Sequence, residues 1–285
     1  GVSGQDTLRL DRLELTNFRC FAECAIDLHP ELTVLVADNG KGKTALLDAI
    51  GIALGLYVHT LDPIHNPPKN VSFELADVRR HISVGSMTSA LPVSVRARGQ
   101  VDGKQIQWLR ELLSETNIRT ADAKAGKLKT TAKGVRARLD AYVANPTGIA
   151  PVLPVVASYG TGRLWSETRL TAERRAVGLD QSTLGRFAGY LDCLLPSSSF
   201  KTFLVWYESM MASMKSMPVS GGVQVDRPEI LVAAVEVAMR VVLGPTKWDR
   251  LLWHDGTLMV AHRDGTILPL AHLSDGVRSM IALVA

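Results

Sequence analysis

The stretch Ala37-Asp38-Asn39-Gly40-Lys41-Gly42-Lys43-Thr44 holds the residue types that grip phosphate. Gly40 and Gly42 let the backbone curl so that its N–H groups converge on an anion. The apolar-periodic run from Lys43 to Val58 predicts a helix, whose N-terminus adds a positive dipole end at the same point. Lys43 then reaches the outer phosphates of a polyphosphate, and the Thr44 hydroxyl is placed to ligate Mg²⁺. Asn39, Lys41 and Ala45 belong to the same loop and helix start and are taken with it as nucleotide-binding. The stretch follows the pattern GxxxxGK[ST] except at its first position, where Ala37 replaces glycine. A methyl is tolerated there provided φ is negative. The plainer alternative is a Gly/Lys-rich turn capping an ordinary helix. The strand predicted at Thr33–Val36, just before the loop, speaks against it.

A second candidate is Leu273-Ser274-Asp275-Gly276-Val277-Arg278-Ser279. Ser274 is an N-cap type with a free hydroxyl, Gly276 permits close approach, and a helix starts here. Alone, such a sequence is a common cap.

The elements that must position these residues are legible in outline. "LRLDRLELTNF" alternates apolar and polar residues, as a half-buried strand does, and "CAIDL" and "LTVLVAD" read as two more strands. Two alternating runs around Asp102-Gly103 predict a hairpin from Pro92 to Leu112. Arg119 to Arg138 is basic and poor in apolar residues, with a weak helical pattern from Lys133 to Val143. It either tracks a nucleic-acid backbone or is a solvated face. "PVLPVVASYG" reads as a buried strand ending in a turn. Phe200–Met217 and Asp226–Gly244 are the clearest helices of a mostly helical region, Glu173 to Leu243. Met210, Met211, Met214 and Met217 suit a core or a partner-docking face. Strands around Asp255-Gly256 and Asp264-Gly265 follow. The expected organisation is 1–60, the loop-bearing part of a nucleotide-binding lobe; 61–165, a hairpin and basic segment rejoining the core sheet; 166–245, a helical insertion; and 246–285, strands and the start of the last helix.

Composition sets the outer bounds. The chain has 285 residues, 46% hydrophobic and 21% charged, enough to bury a large α/β core and too apolar for a disordered chain. A net charge of +4 permits a phosphate-rich partner without requiring one. Three cysteines, Cys20, Cys24 and Cys193, form no CxxC pair, which argues against a zinc site or disulfide framework and fits a reducing cytoplasm. No run of about 18 consecutive apolar residues suggests a membrane span, and no signal peptide is expected. The opening Gly1-Val2-Ser3, without methionine, fits a tag remnant.

From Leu8 to Leu56 the chain resembles the N-terminal half of an SMC/RecF-like head, the branch of ABC-type ATPases that act on nucleic acid. The resemblance implies an α/β P-loop NTPase fold of ABC-ATPase type, with an antiparallel β subdomain and a helical insertion, binding ATP and Mg²⁺. In that branch the element "NFRCF" sits beside the nucleotide, so Asn17 and Arg19 are implied contacts, Arg19 otherwise being a surface cation. "LSDGVRS" resembles the ABC signature, which implies that Ser274, Asp275 and Gly276 bind the γ-phosphate of nucleotide held by an opposite copy. The family's Walker B Asp-Glu and switch His follow that helix. The chain ends at Ala285 inside it, so the expectation is a fragment, incomplete at its C-terminus, with no catalytic residue identified and no turnover alone.

"PVVASYGTGRLW", from Pro154 to Trp165, and the ending "LSDGVRSMIALV" further resemble Septu-type and retron-associated anti-phage ATPases. That implies a homodimer or higher oligomer controlling an HNH-type nuclease, with DNA or a retron reverse transcriptase and its DNA–RNA product as further partners. Tyr159, Thr161 and Arg163 fall where the family has its Q-loop, and Arg163 is either a γ-phosphate sensor or a structural salt-bridge partner. Two alternatives remain: a RecF/SMC-like DNA repair ATPase, and a non-hydrolysing scaffold held together by bound nucleotide.

Overall fold

The computed structural model describes residues 8–62, 72–83, 85–160, 190, 193–194, 200–216 and 228–284. They fall into two compact units. The first holds 1–158 with 189–195, and the second holds 159–188 with 196–285.

The first unit is built on a five-stranded antiparallel sheet. Its strands are β1 (Leu8–Phe18), β2 (Phe21–Asp27), β5 (Val93–Val101), β6 (Lys104–Leu112) and β7 (Thr120–Ala121), in the order β2-β1-β5-β6-β7. The alternation in β1 works as predicted, with Leu13, Leu15 and Phe18 buried. Where β1 bulges between Leu10 and Arg12, Gly99 of β5 passes so close that a Cβ there would lie 2.0 Å from the Arg9 carbonyl oxygen. The β5–β6 hairpin turns at Asp102 and Gly103, both with positive φ, the conformation that Asp-Gly favours. A small hairpin, β3 (Arg80–Ser83) with β4 (Ser86–Ser89), stands apart from this sheet.

Helix α1 (Lys43–Leu61) is apolar on nearly every side, as a core helix is, and it packs on β1, β5, β6 and α2. Among the described residues it is the one helix long and apolar enough by composition to cross a membrane. Two side chains of β6 reach its backbone: Trp108 Nε1 donates to the Ala53 carbonyl at 2.9 Å, and Arg110 Nη1 to that of Ile52 at 2.6 Å. The second helix, α2 (Gly126–Ala144), occupies most of the basic segment and begins seven residues before the pattern at Lys133 suggests. Its buried residues Leu128, Ala132, Val135 and Leu139 are spaced four, three and four apart, one stripe against α1.

Two predicted strands are not strands here. Residues 32–38 join no ladder among the described residues, and Leu32, Val34 and Val36 are 72%, 70% and 89% exposed. Residues 151–158 likewise join no ladder; Val156 is buried while Val155 is almost fully exposed. A run of apolar, β-branched residues records strand propensity, but a strand also needs a neighbour to accept its backbone bonds.

The second unit pairs β8 (Trp248–His254), β9 (Thr257–His262) and β10 (Ile267–Pro269) in the order β10-β9-β8. With them go helices α3 (Phe200–Ser216), α4 (Pro228–Leu243) and α5 (Asp275–Val284). Its core gathers Tyr207 and Met210 from α3, Met239 and Leu243 from α4, Val260 from β9, and Val277 and Ile281 from α5. Met210 is therefore a core residue, Met214 is 40% exposed, and Met217 lies outside the described residues. The turn at Asp255-Gly256 has positive φ at both positions and closes the β8–β9 hairpin.

Candidate nucleotide site

The loop from Ala37 to Gly42 runs into α1 as the residue types require. Gly40 and Gly42 have φ of 78° and 89°, the left-handed region that glycine enters without strain, and Gly42 is the N-cap of α1. Ala37 keeps a negative φ, so the missing first glycine costs the loop nothing. Gly42 is also fixed by its surroundings. A Cβ built there would meet the Phe21 ring at 2.4 Å and Cys20 Sγ at 2.7 Å. The turn between β1 and β2 thus buttresses the loop, a contact that no spacing in the sequence announces.

The charged groups are arranged around that brace. Lys43 Nζ folds back over the loop and donates to the carbonyls of Ala37 at 2.5 Å and Asp38 at 2.8 Å. It therefore lies over the loop's own carbonyls at the start of α1, where an anion drawn to the helix N-terminus would compete for it. Thr44 is exposed at the first turn of α1, its hydroxyl free of hydrogen bonds among the described residues. That leaves an oxygen available to a hard cation such as Mg²⁺. Lys41 is exposed, and its N–H donates weakly to the Asp38 carbonyl at 3.4 Å, while Ala45 is buried beneath the loop. Asn39 is exposed at the loop's tip. Free amides on a helix start, one lysine and one hydroxyl together fit a nucleoside polyphosphate with its metal.

Asn17 and Arg19 both take positive φ, 53° and 49°, unusual for side chains with a Cβ. Backbone bonds hold them there: Arg19 N–H donates to Asp77 O at 2.8 Å, and Arg79 N–H to Asn17 O at 3.1 Å. Asn17 Nδ2 donates to the Pro92 carbonyl at 3.1 Å. The Arg19 guanidinium lies 5.2 Å from the Phe18 ring centroid and is shared between two carboxylates, Asp77 Oδ1 at 2.8 Å and Asp48 Oδ2 on α1. Burial opposes its charge, yet the hydrogen bonds to Asp48 and Asp77 outweigh that and hold its pKa above the ordinary value. The guanidinium is thus occupied by protein carboxylates in this state and ties the turn to the loop's own helix. Asp48 and Asp77 are the residues that the sequence reading missed; only the apposition of three distant segments reveals them.

The second candidate stands in the other unit. Ser274 precedes α5 and its carbonyl accepts the Arg278 N–H at 3.0 Å, which makes it the N-cap. Ser274, Asp275 and Gly276 are all exposed, and Arg278 Nη1 reaches Asp275 Oδ1 at 3.4 Å. Tyr159 is half exposed, whereas Thr161 and Arg163 lie outside the described residues.

Fold and loop together define a P-loop α/β protein. The AAA domain family model matches residues 12–204, more than half of the chain, and the chain belongs to that family. Among curated proteins it is 34% identical over 108 residues to the DNA replication and repair protein RecF of Pseudarthrobacter chlorophenolicus, covering 36% of this chain and 27% of that protein. It is 49% identical over 47 residues to the DNA double-strand break repair Rad50 ATPase of Halobacterium salinarum, covering 16% of this chain and 5% of that one. The matches therefore span about a quarter or less of these relatives. Among solved structures the Smc head domain of Pyrococcus furiosus, bound to the C-terminal domain of ScpA, aligns with a TM-score of 0.46 at 13% identity, over 97% of this chain and 77% of that one.

Proposed function

We propose that the chain is the ATP-binding head of an SMC/RecF-type ATPase that works on DNA in replication or repair. The observation that carries this reading is the braced loop: Gly42 pinned under Phe21, with Lys43 folded over the loop's carbonyls. Lys43 holds the β- and γ-phosphates, Thr44 holds Mg²⁺, and backbone amides from Asn39 to Ala45 cradle the rest. Ser274, Asp275 and Gly276 of a second copy meet the same nucleotide from outside, so that ATP joins two heads. Arg19 and Asn17 line the base or ribose side, and Arg163 senses the γ-phosphate. The local identity to RecF and Rad50 supports work on DNA, and hence a cytoplasmic setting.

The names of these relatives favour DNA maintenance over a defence complex with an HNH-type nuclease or a retron product. The defence reading leans on Pro154–Trp165, of which residues 161–165 lie outside the described residues, and on the ending Leu273–Val284. The scaffold alternative differs only in turnover.

Titration calorimetry with ATP and Mg²⁺ tests the site, and fluorescence anisotropy with duplex and gapped DNA, with and without ATP, tests the role. Saturable ATP binding with ATP-dependent DNA binding is expected. ATP binding without any effect on DNA affinity would remove the DNA assignment and leave the nucleotide site standing. Phosphate release from the whole protein separates an ATPase from a scaffold.

A further inference from the structure

At the other end of α1 from the loop, the first unit contains a cavity of about 900 Å³. Lys43 and Thr60 are seventeen residues apart, which at the helical rise separates the two places by roughly 25 Å. The cavity is therefore distinct from the nucleotide loop. The last turns of α1, the segment Ser72–Leu75, β6, the strand β7 approach and α2 form its walls. A bond from Phe73 N–H to Thr120 Oγ1 at 3.1 Å ties two of those walls together.

Its chemistry is two-sided. Leu56, Phe73 and Ile118 give it an apolar part, and Phe73 is almost wholly buried. The same lining holds Arg110, Arg119, Lys129 and Lys133, with the carboxylates of Glu74 and Asp122. Asp122 is committed to the lining cations, while Glu74 keeps its charge, so the four cations and two carboxylates leave the lining net positive by two. Asp122 Oδ1 accepts from Arg110 Nε at 2.7 Å, and its other oxygen lies 4.0 Å from Lys129 Nζ. Glu74 and Asp77 cap each other's backbone at the short helix Leu75–Asp77. Arg119 and Lys133 form no ion pair among the described residues. Burial pulls the Arg110 guanidinium below its ordinary pKa, against the pull of Asp122, so added negative charge nearby relieves a real cost.

Two uncompensated cations on the wall of a half-apolar cavity call for an anion with a ring or other apolar body. The volume is within the range of small-molecule sites, which run from about 300 to 1,000 Å³. We propose that this cavity is a second, separate site for a phosphate-bearing ligand of nucleotide size, held by Arg119 and Lys133 with its apolar body against Phe73 and Ile118. The same chemistry comes from two sources: a free mononucleotide, or the 5′-phosphorylated end of a nucleic-acid strand.

The test uses the Lys43→Ala chain, in which the loop site is disabled, titrated calorimetrically at low ionic strength with AMP and with a 5′-phosphorylated tetranucleotide. One-site binding is expected, weakened at least about tenfold in an added Arg119→Glu/Lys133→Glu pair. Both residues are exposed, so the charge reversal leaves the fold intact, as circular dichroism checks. Binding of AMP identifies the free nucleotide as ligand, and binding of the tetranucleotide alone identifies the strand end. No binding of either, or binding indifferent to the charge reversal, overturns the proposal. Failure of the loop reading is separate: it appears in the otherwise unaltered chain as ATP affinity that Lys43→Ala does not change.

Discussion

At the start of α1 the phosphate loop is braced from outside by Phe21 and Cys20 and crossed from inside by Lys43, whereas at the start of α5 the Ser274 hydroxyl has no hydrogen-bond partner among the described residues. Both are helix N-termini with a small residue for close approach, and both carry the dipole and free amides that attract phosphate. They differ in what surrounds them. The first has its lysine held by loop carbonyls and Gly42 pinned by the β1–β2 turn, all within one unit. The second offers three exposed residues and one cap. It adds too little to hold an anion by itself, and under the proposed function it meets a phosphate already held by a second copy. A preformed site costs less to occupy than one assembled on binding. Asymmetry of this kind suits a switch in which binding comes first and association second.

The largest effect that separates the two sites is Lys43→Ala. Losing the one cation across the loop is expected to lower ATP affinity by about a hundredfold or more, near 2.7 kcal/mol. Calorimetry reads it directly, and unchanged affinity would erase the distinction between the two helix starts. Gly42→Ala comes next. Its φ of 89° and the 2.4 Å approach to Phe21 predict a stability loss of about 1–3 kcal/mol by urea unfolding. Part of that loss returns in a Gly42→Ala/Phe21→Ala pair, because the ring is half of the clash. If Gly42→Ala unfolds like the parent chain, the loop is not braced.

Ser274→Arg acts on the other start. ATP affinity of the single copy should stay within about twofold, since nothing in the loop is touched, while ATP-dependent dimer formation by light scattering is lost. Undiminished dimerisation would mean that α5 is an ordinary capped helix.

How much of this was readable beforehand follows from the range of each interaction. The loop, α1, the β5–β6 hairpin and α4 are local statements: glycine at a forced φ, an apolar period, Asp-Gly at a turn. They could be read from short windows. The helix α2 was half hidden because its four buried residues, Leu128, Ala132, Val135 and Leu139, are outnumbered by lysines and arginines on its other faces. A low average hydropathy masked a correct spacing. Residues 32–38 misled in the opposite sense, since their run of β-forming apolar residues is real but its strand partner is not encoded in the segment itself. The carboxylates around Arg19 were out of reach for a third reason. Asp48 and Asp77 stand 29 and 58 residues away, and neither belongs to a motif.

The Arg19 cluster gives the smallest expected effect and the sharpest question about the braced side. Its guanidinium joins the β1–β2 turn to α1 through Asp48, five residues beyond Lys43, so the turn that pins Gly42 is itself pinned to the helix that carries the lysine. The pair is a quarter to a third exposed, which limits its worth to about 1 kcal/mol. A double-mutant cycle with Arg19→Ala and Asp48→Ala, read by urea unfolding without nucleotide, should return a coupling of that size. The same cycle read as ATP affinity distinguishes two uses of the arginine. If Arg19 serves only as a strut, Arg19→Ala and Asp48→Ala weaken ATP binding alike. If Arg19 leaves its carboxylates for the nucleotide, Asp48→Ala frees it and tightens binding while Arg19→Ala weakens it. Opposite signs would make the turn part of the site, and equal signs would confine it to the frame that holds the loop in shape.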